Sequence, residues 1–184
     1  MISTVLLSGE LAAIRRFLDR TLESVDSEIA LINQQEENGE FVHQDDYANA
    51  LFFPMEREAI AVRAVLYEIV ALVEWELRML VHIPLSRQKD PPKPKFAWDL
   101  SWRAVRDRVE QYHEVTLPNL PGFRELELMR QTVNAFKHRR GLKDPRLTQA
   151  SYFPEMHDPK RADAYRAIDT AQQFLRALWQ SARV

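Results

Sequence analysis

The sequence predicts an all-α fold, a bundle of about five helices, on the basis of three observations. Only 4 of the 184 residues are glycine, which is far from the turn-rich pattern of sandwiches and barrels. Leu, Ala, Glu and Arg, all good helix formers, are plentiful. Several long segments also repeat apolar residues at steps of three or four. The length and the 46% hydrophobic content suit one domain over residues 1–184.

The first two predicted helices are long. Apolar residues at helical spacing predict a first helix over residues 8–38, ended by Asn38 and Gly39. A short helical turn is expected around residues 47–53, and Pro54 then suits the first position of a second helix over residues 55–82. This helix is apolar almost all round, so it belongs in the centre of the bundle or in a homodimer interface, and Pro84 ends it.

Prolines separate the remaining predicted helices. A Pro-rich linker covers about residues 87–98, and a third helix follows over residues 101–116. The segment 117–122 breaks the chain before a fourth helix over residues 123–140, which Gly141 terminates. A long loop of about residues 142–160 leads to a final helix over residues 161–182.

The composition argues against several classes of function. The net charge of −2 gives no overall attraction to nucleic acid or anionic lipid, so a polyanion would have to bind a local basic patch. The absence of cysteine removes disulfides, thiol nucleophiles and Cys-based zinc sites, and it fits a cytoplasmic protein. No run of about 18 apolar residues predicts a membrane span. No glycine-rich phosphate loop or Gly-x-Ser-x-Gly elbow is present, and no cofactor is expected.

The fourth predicted helix carries the main candidate site. At 100° per residue, Asn134 lies about 40° and His138 about 80° around the helix from Arg130, so one face presents a guanidinium, an amide and an imidazole. The following cations form a basic cluster, namely Lys137, Arg139, Arg140, Lys143 and Arg146. This cluster is the favoured site for phosphate. The alternative is that these cations only complement the negative end of the helix dipole.

The residues Arg130, Asn134, Lys137, His138 and Gly141 resemble the motif of the HEPN superfamily, helical bundles with a late Arg and a following Lys-His pair. The resemblance covers the motif helix and the order of long helix pair, motif helix, loop and final helix. Seven residues separate Arg130 from His138 here, whereas four to six are usual in the family.

The resemblance implies a metal-independent endoribonuclease or RNA-binding protein of a toxin-antitoxin or defence system, acting as a homodimer with RNA and an antitoxin or other protein as partners. His138 would be the general acid or base, Arg130 the phosphate clamp, and Asn134 the group that orients either His138 or the scissile phosphate. The cluster Lys137, Arg139, Arg140 and Lys143 would bind the RNA backbone. The alternative is a non-catalytic interaction or nucleotide-binding module.

Other polar patterns have competing interpretations. Glu110 with His113 and Glu40 with His43 repeat the Glu-x-x-His spacing of di-iron bundles, with Glu74 as a further candidate ligand, although chance matches are more common. Glu74 and Arg78 are expected to form a structural ion pair rather than a catalytic one. His157 is taken as a surface residue. The aromatic residues could stack on bases, but burial in the core or an interface is preferred; they are Trp75, Trp98, Trp102, Trp179, Phe52 and Phe53.

Overall fold

The computed structural model describes residues 2–89, 96–139 and 159–182. Its five α-helices are α1 (Ile2–Glu37), α2 (Gln44–Ser86), α3 (Trp102–His113), α4 (Phe123–Arg139) and α5 (Arg161–Ser181). Two 3₁₀ turns, Ala97–Asp99 and Leu117–Asn119, flank α3. The described ranges contain no strand. The prediction of an all-α bundle of about five helices is therefore confirmed.

Helix α2 is the central element, because α1, α3, α4 and α5 all pack against it. Its fully buried side chains include Val62, Ile69, Leu77 and Leu80. The core is completed by one apolar stripe from each surrounding helix; examples are Leu18 of α1, Val105 and Val109 of α3, Met129 and Val133 of α4, and Ile168, Phe174 and Leu178 of α5. None of the described helices is long and apolar enough to cross a membrane.

Helix α1 ends as the sequence predicts. Gly39 has a φ of +73°, and its N–H donates to the carbonyl of Glu36 at 2.9 Å. The N–H of Glu40 donates to the carbonyl of Gln35 at 3.0 Å. This pair of bonds around a left-handed glycine is a Schellman motif, which satisfies carbonyls at the end of the helix.

Helix α2 corrects the prediction of a separate turn before Pro54. The helix is continuous from Gln44, and Pro54 is a buried residue inside it. An interior proline removes one helical hydrogen bond and usually costs about 3 kcal/mol. The preceding segment is held against α1, where the Tyr47 hydroxyl donates to the Asn33 side chain at 2.8 Å. The helix therefore continues through Pro54, and this hydrogen bond ties its first turns to α1.

Pro84 does not end α2 either, since the helix continues to Ser86. A proline at position 84 cannot donate to the carbonyl of Leu80, which is its helical acceptor. His113 at the end of α3 lies with Nε2 2.9 Å from that carbonyl oxygen, and it is 2% exposed. The imidazole N–H therefore replaces the missing amide and joins α3 to α2.

The start of α5 is tied to both long helices by Arg161. Its guanidinium donates to both carboxylate oxygens of Asp26, at 2.9 and 2.6 Å, and to Glu58 at 2.5 Å. The hydrogen bond from Arg161 holds the pKa of Asp26 below its ordinary value. Further along, the Tyr165 hydroxyl donates to Asp19 at 2.6 Å, and burial together with that contact raises the pKa of Tyr165 to about 12.

Arg78 anchors the 3₁₀ turn that precedes α3. Its guanidinium donates to the carbonyls of Ala97 at 2.7 Å and Leu100 at 3.1 Å, and to the carboxylate of Glu74 at 3.1 Å. Ala97 is fully buried. The predicted ion pair between Glu74 and Arg78 is confirmed, and it positions an arginine that closes the turn onto α2.

Candidate functional site

The candidate site lies on α4, where Glu127 and Arg130 contact side chains of α3. Arg130 and Asn134 are both half-buried and one helical turn apart, as the spacing predicts. Lys137 is exposed, and its Nζ lies 5.4 Å from the centre of the Tyr67 ring on α2. The predicted face of α4, which we call the α4 strip, therefore begins at Arg130 beside α3 and reaches the surface at Lys137.

Arg130 is held in place by two residues. Its guanidinium carbon lies 4.8 Å from the centre of the Trp102 ring, a cation–π contact. Its Nε lies 3.6 Å from a carboxylate oxygen of Glu127, one turn earlier on α4. The side chain is only 23% exposed. A stacked arginine has little freedom to rearrange, so a ligand would meet it already oriented.

Glu127 serves several donors at once. The indole N–H of Trp102 donates to it at 2.7 Å, and Arg106 donates to its other oxygen at 3.3 Å. Arg106 also lies over the ring of Phe123, at 4.9 Å from the ring centre. Two guanidinium groups therefore share one carboxylate, which leaves this cluster with one excess positive charge. We call Trp102, Arg106, Glu127 and Arg130 the arginine cluster.

The arginine cluster has unused hydrogen-bond donors. The Nε atoms of Arg106 and Arg130 are buried and have no hydrogen-bond partner among the described residues. A neighbouring void of about 10 Å³ has room for about one water molecule, and six apolar side chains line it together with Trp102, Glu127 and Arg130. Buried donors without partners are costly, so an acceptor of the size of one water molecule suits this void.

Several predicted site residues lie outside the part of the chain that the structure describes. The backbone of α4 reaches Arg139, but its described side chains end at Lys137. The side chains of His138 and Arg139 are therefore outside it, as are Arg140, Gly141, Lys143 and the loop residue His157. Their predicted roles stay predictions.

The residues of the proposed di-iron pattern have other surroundings. Glu110 accepts a hydrogen bond from the N–H of Leu117 at 2.9 Å, and His113 binds the carbonyl of Leu80. Glu40 and His43 are exposed in the connection between α1 and α2. Within the described ranges, no three His, Asp or Glu side chains come together as a set that could hold a metal ion.

Comparison with family models, with curated proteins and with solved structures found no match to this chain. The HEPN resemblance thus stays a prediction that rests on the residues of α4.

Sequence reasoning assigned no role to Arg106 or Glu127, and it placed Trp102 in the core or an interface rather than beside Arg130. The spacing contained a partial signal, because Glu127 precedes Arg130 by three residues and Trp102 precedes Arg106 by four, so each pair shares a helix face. The pairing of the two helices could not be read from spacing, because it depends on how α3 crosses α4.

The expected burial of the aromatic residues is only partly correct within the isolated chain. Trp102 and Trp179 are half-buried, whereas Trp75 is 54% exposed and Trp98 is 41% exposed. The rings of Trp75 and Trp98 stack with centres 4.9 Å apart. Phe52 and Phe53 are also exposed. These residues thus form two exposed aromatic pairs, Trp75 with Trp98 and Phe52 with Phe53.

Proposed function

We propose that this chain binds RNA along α4 and cleaves it without a metal ion. The observation that carries this proposal is the arginine cluster, where two partly exposed guanidinium groups share the single carboxylate of Glu127 and leave one excess positive charge. Such a cluster favours an additional anion, and a phosphate is the anion that matches guanidinium geometry best.

The roles within the α4 strip follow from its order along α4. Arg130, already oriented by Trp102, holds a non-bridging phosphate oxygen. Lys137, exposed at the far end, contacts a neighbouring phosphate, and Arg139, Arg140 and Lys143 extend that contact along the backbone. Asn134, between Arg130 and His138, orients the imidazole or the scissile phosphate.

The proposed chemistry is a transfer within the RNA. The imidazole of His138 takes the proton from a ribose 2′-hydroxyl, and the 2′-oxygen forms a bond to the adjacent phosphorus. The bond from phosphorus to the 5′-oxygen then breaks, and that oxygen takes a proton from the imidazolium or from water. The products are a 2′,3′-cyclic phosphate and a free 5′-hydroxyl.

The test is cleavage of mixed-sequence RNA in excess EDTA by the wild type and by His138→Ala. We expect the wild type to leave 2′,3′-cyclic phosphate ends and the variant to lose at least about 100-fold in rate, the usual contribution of a general acid or base. His43→Ala, at an exposed histidine in the connection before α2, is the matched control and should keep full activity. Cleavage by His138→Ala at the wild-type rate would contradict this mechanism.

A second candidate, a non-catalytic module that binds nucleotides or anions, is favoured by the partial burial of Arg130 between Trp102 and Glu127. In that case nucleotide affinity should fall with Arg130→Gln while no RNA is cleaved. RNA cleavage that depends on His138 would exclude this candidate.

A further inference from the structure

An exposed apolar face runs along one side of the α1–α2 pair. It is built from nine residues that we call the α1–α2 outer face, namely Glu10, Ala13, Phe17 and Arg20 of α1 and Ile60, Ala64, Glu68, Ala71 and Trp75 of α2. Phe17 is 50% exposed, and Ile60 and Trp75 are each 54% exposed. Exposed large side chains beside small alanines leave a surface that a matching surface can approach closely.

The two helices meet along shallow grooves on this face. One groove of about 520 Å³ is lined by Glu10, Ala13, Glu68, Ala71 and Trp75, among others. A second groove of about 370 Å³ is lined by Ala13, Phe17, Ala64 and Glu68, among others. Ala13, Ile14 and Glu68 border both grooves, so the middle of the face lies where these three residues meet.

The α1 half of the face is complementary to itself. Glu10 and Arg20 are equally distant from position 15, and so are Ala13 and Phe17. If a second α1 crosses antiparallel about that position, each Glu10 meets an Arg20, and each Phe17 meets an Ala13. Opposite charges thus face each other at about 7.5 Å to either side of the centre, given a rise of 1.5 Å per residue.

The α2 half has the same property. Trp75 and Ile60 are equally distant from the point between positions 67 and 68, and so are Ala71 and Ala64. That point lies beside Glu68, at the level of Ile14 and hence close to position 15 of α1. One two-fold axis perpendicular to both helices can therefore relate both halves at once. Two-fold symmetry of this kind requires a surface that matches itself.

We propose that the α1–α2 outer face binds a second copy of this chain, with α1 antiparallel to α1 and α2 antiparallel to α2. Two Glu10–Arg20 pairs set the register, while Phe17 packs on Ala13 and Trp75 packs on Ile60 across the interface. The argument is independent of the RNA cleavage proposed above. Arg130 lies between α3 and α4 and is not part of this face, so each copy keeps its own arginine cluster.

The first test is a charge exchange followed by light scattering and sedimentation at micromolar concentrations. Glu10→Arg and Arg20→Glu each place like charges in both symmetric pairs, so each should weaken the dimer by at least about tenfold in Kd. The double variant Glu10→Arg/Arg20→Glu restores both pairs and should recover the wild-type dimer. Arg103→Glu, at a side chain that is 91% exposed on α3, is the matched control.

Two outcomes of this test would overturn the proposal. One is a wild-type chain that remains monomeric throughout the micromolar range. The other is a double variant that dimerises as weakly as the single variants, because that result would mean that Glu10 does not contact Arg20 of the second copy.

The second test uses cross-linking, which is clean because the chain contains no cysteine. Glu68→Cys stands beside the proposed axis and also removes a like-charged pair there, so it should oxidise readily to a disulfide-linked dimer. Ser24→Cys is an exposed control on α1, nine residues from position 15, and its two copies would lie about 27 Å apart. Cross-linking of Ser24→Cys as fast as Glu68→Cys would exclude this register.

Discussion

His113 Nε2 lies 2.9 Å from the carbonyl oxygen of Leu80, the acceptor that Pro84 leaves without a helical donor. The sequence presents His113 as part of a metal-binding pattern, and presents Pro84 as a helix end. The structure joins these two residues in one role, because the imidazole supplies the N–H that the proline lacks. Helix α2 can therefore continue to Ser86, and Leu85 stays buried.

A double-mutant cycle tests this relationship. His113→Phe keeps the bulk of the ring but removes the donor, so it should lower the free energy of unfolding by about 1–3 kcal/mol. In a Pro84→Ala background the amide of residue 84 can bind Leu80, so the same change at position 113 should cost about 1 kcal/mol less. Denaturant unfolding of the four proteins measures the coupling. Strict additivity would mean that His113 does not replace the missing amide.

Glu127→Gln tests whether the arginine cluster is an anion site. The variant loses the carboxylate that Arg106 and Arg130 share, which is the only acidic partner of either among the described residues. Stability should fall by about 1–2 kcal/mol, less than for a fully buried pair because the partners are partly exposed. RNA should bind more tightly, with a salt dependence steeper by about one ion released.

The matched control for Glu127→Gln is Glu125→Gln, an exposed position two residues away on α4. It changes the net charge equally but lies off the arginine cluster. Filter binding at several salt concentrations gives both the affinity and the slope. Equal effects of the two substitutions would show that only overall charge matters and would remove Arg130 from the binding site.

The buried carboxyl of Glu76 should make stability depend on pH. Burial raises the pKa of Glu76 above 4.5, although the indole N–H of Trp179, donating at 2.8 Å, opposes the shift. The folded state thus holds this proton more tightly than the unfolded state. The contribution of Glu76 to stability is most favourable below pH 4.5 and is lost as the pH rises through the folded pKa.

Glu76→Gln removes this titration and keeps an acceptor for Trp179. The variant should be more stable than the wild type at pH 7, and its advantage should shrink as the pH falls toward about 4.5. Thermal unfolding between about pH 4 and pH 8 measures the difference, with the exposed Glu23→Gln on α1 as the control. A variant less stable than the wild type at pH 7 would mean that the carboxylate is stabilised by its surroundings.

Two glycines allow backbone strain to be separated from crowding. Gly122 and Gly39 have similar φ angles, +79° and +73°, which disfavour a side chain. A Cβ at Gly122 would lie 2.8 Å from Thr170 Cγ2 and 3.0 Å from its carbonyl oxygen, whereas a Cβ at Gly39 would meet nothing within 4 Å. Gly39→Ala should therefore cost about 1 kcal/mol, and Gly122→Ala about 2–4 kcal/mol. Chemical denaturation compares the two, and equal costs would contradict the close packing of Gly122 on α5.

The helices could be predicted because each carries its own pattern. Leu11, Leu18 and Leu22 repeat at helical spacing, and Gly39 supplies the left-handed residue that ends α1. Boundaries at Pro54 and Pro84 were predicted wrongly, because a proline argues for a break only when nothing compensates for the lost hydrogen bond. The Tyr47–Asn33 hydrogen bond ties the turns before Pro54 to α1. His113 supplies the hydrogen bond that Pro84 cannot make.

The candidate site, too, could be predicted from the sequence only in part. The spacing of Arg130 and Asn134 is enough to place them on one face of a helix, because that placement depends only on the number of residues between them. The stacking of Arg130 on Trp102, and the carboxylate of Glu127 that it shares with Arg106, follow from the packing of α3 and α4. The contacts between the two helices join residues more than 20 positions apart in the sequence. They form because the apolar sides of α3 and α4 pack into the core in an orientation that brings these side chains together.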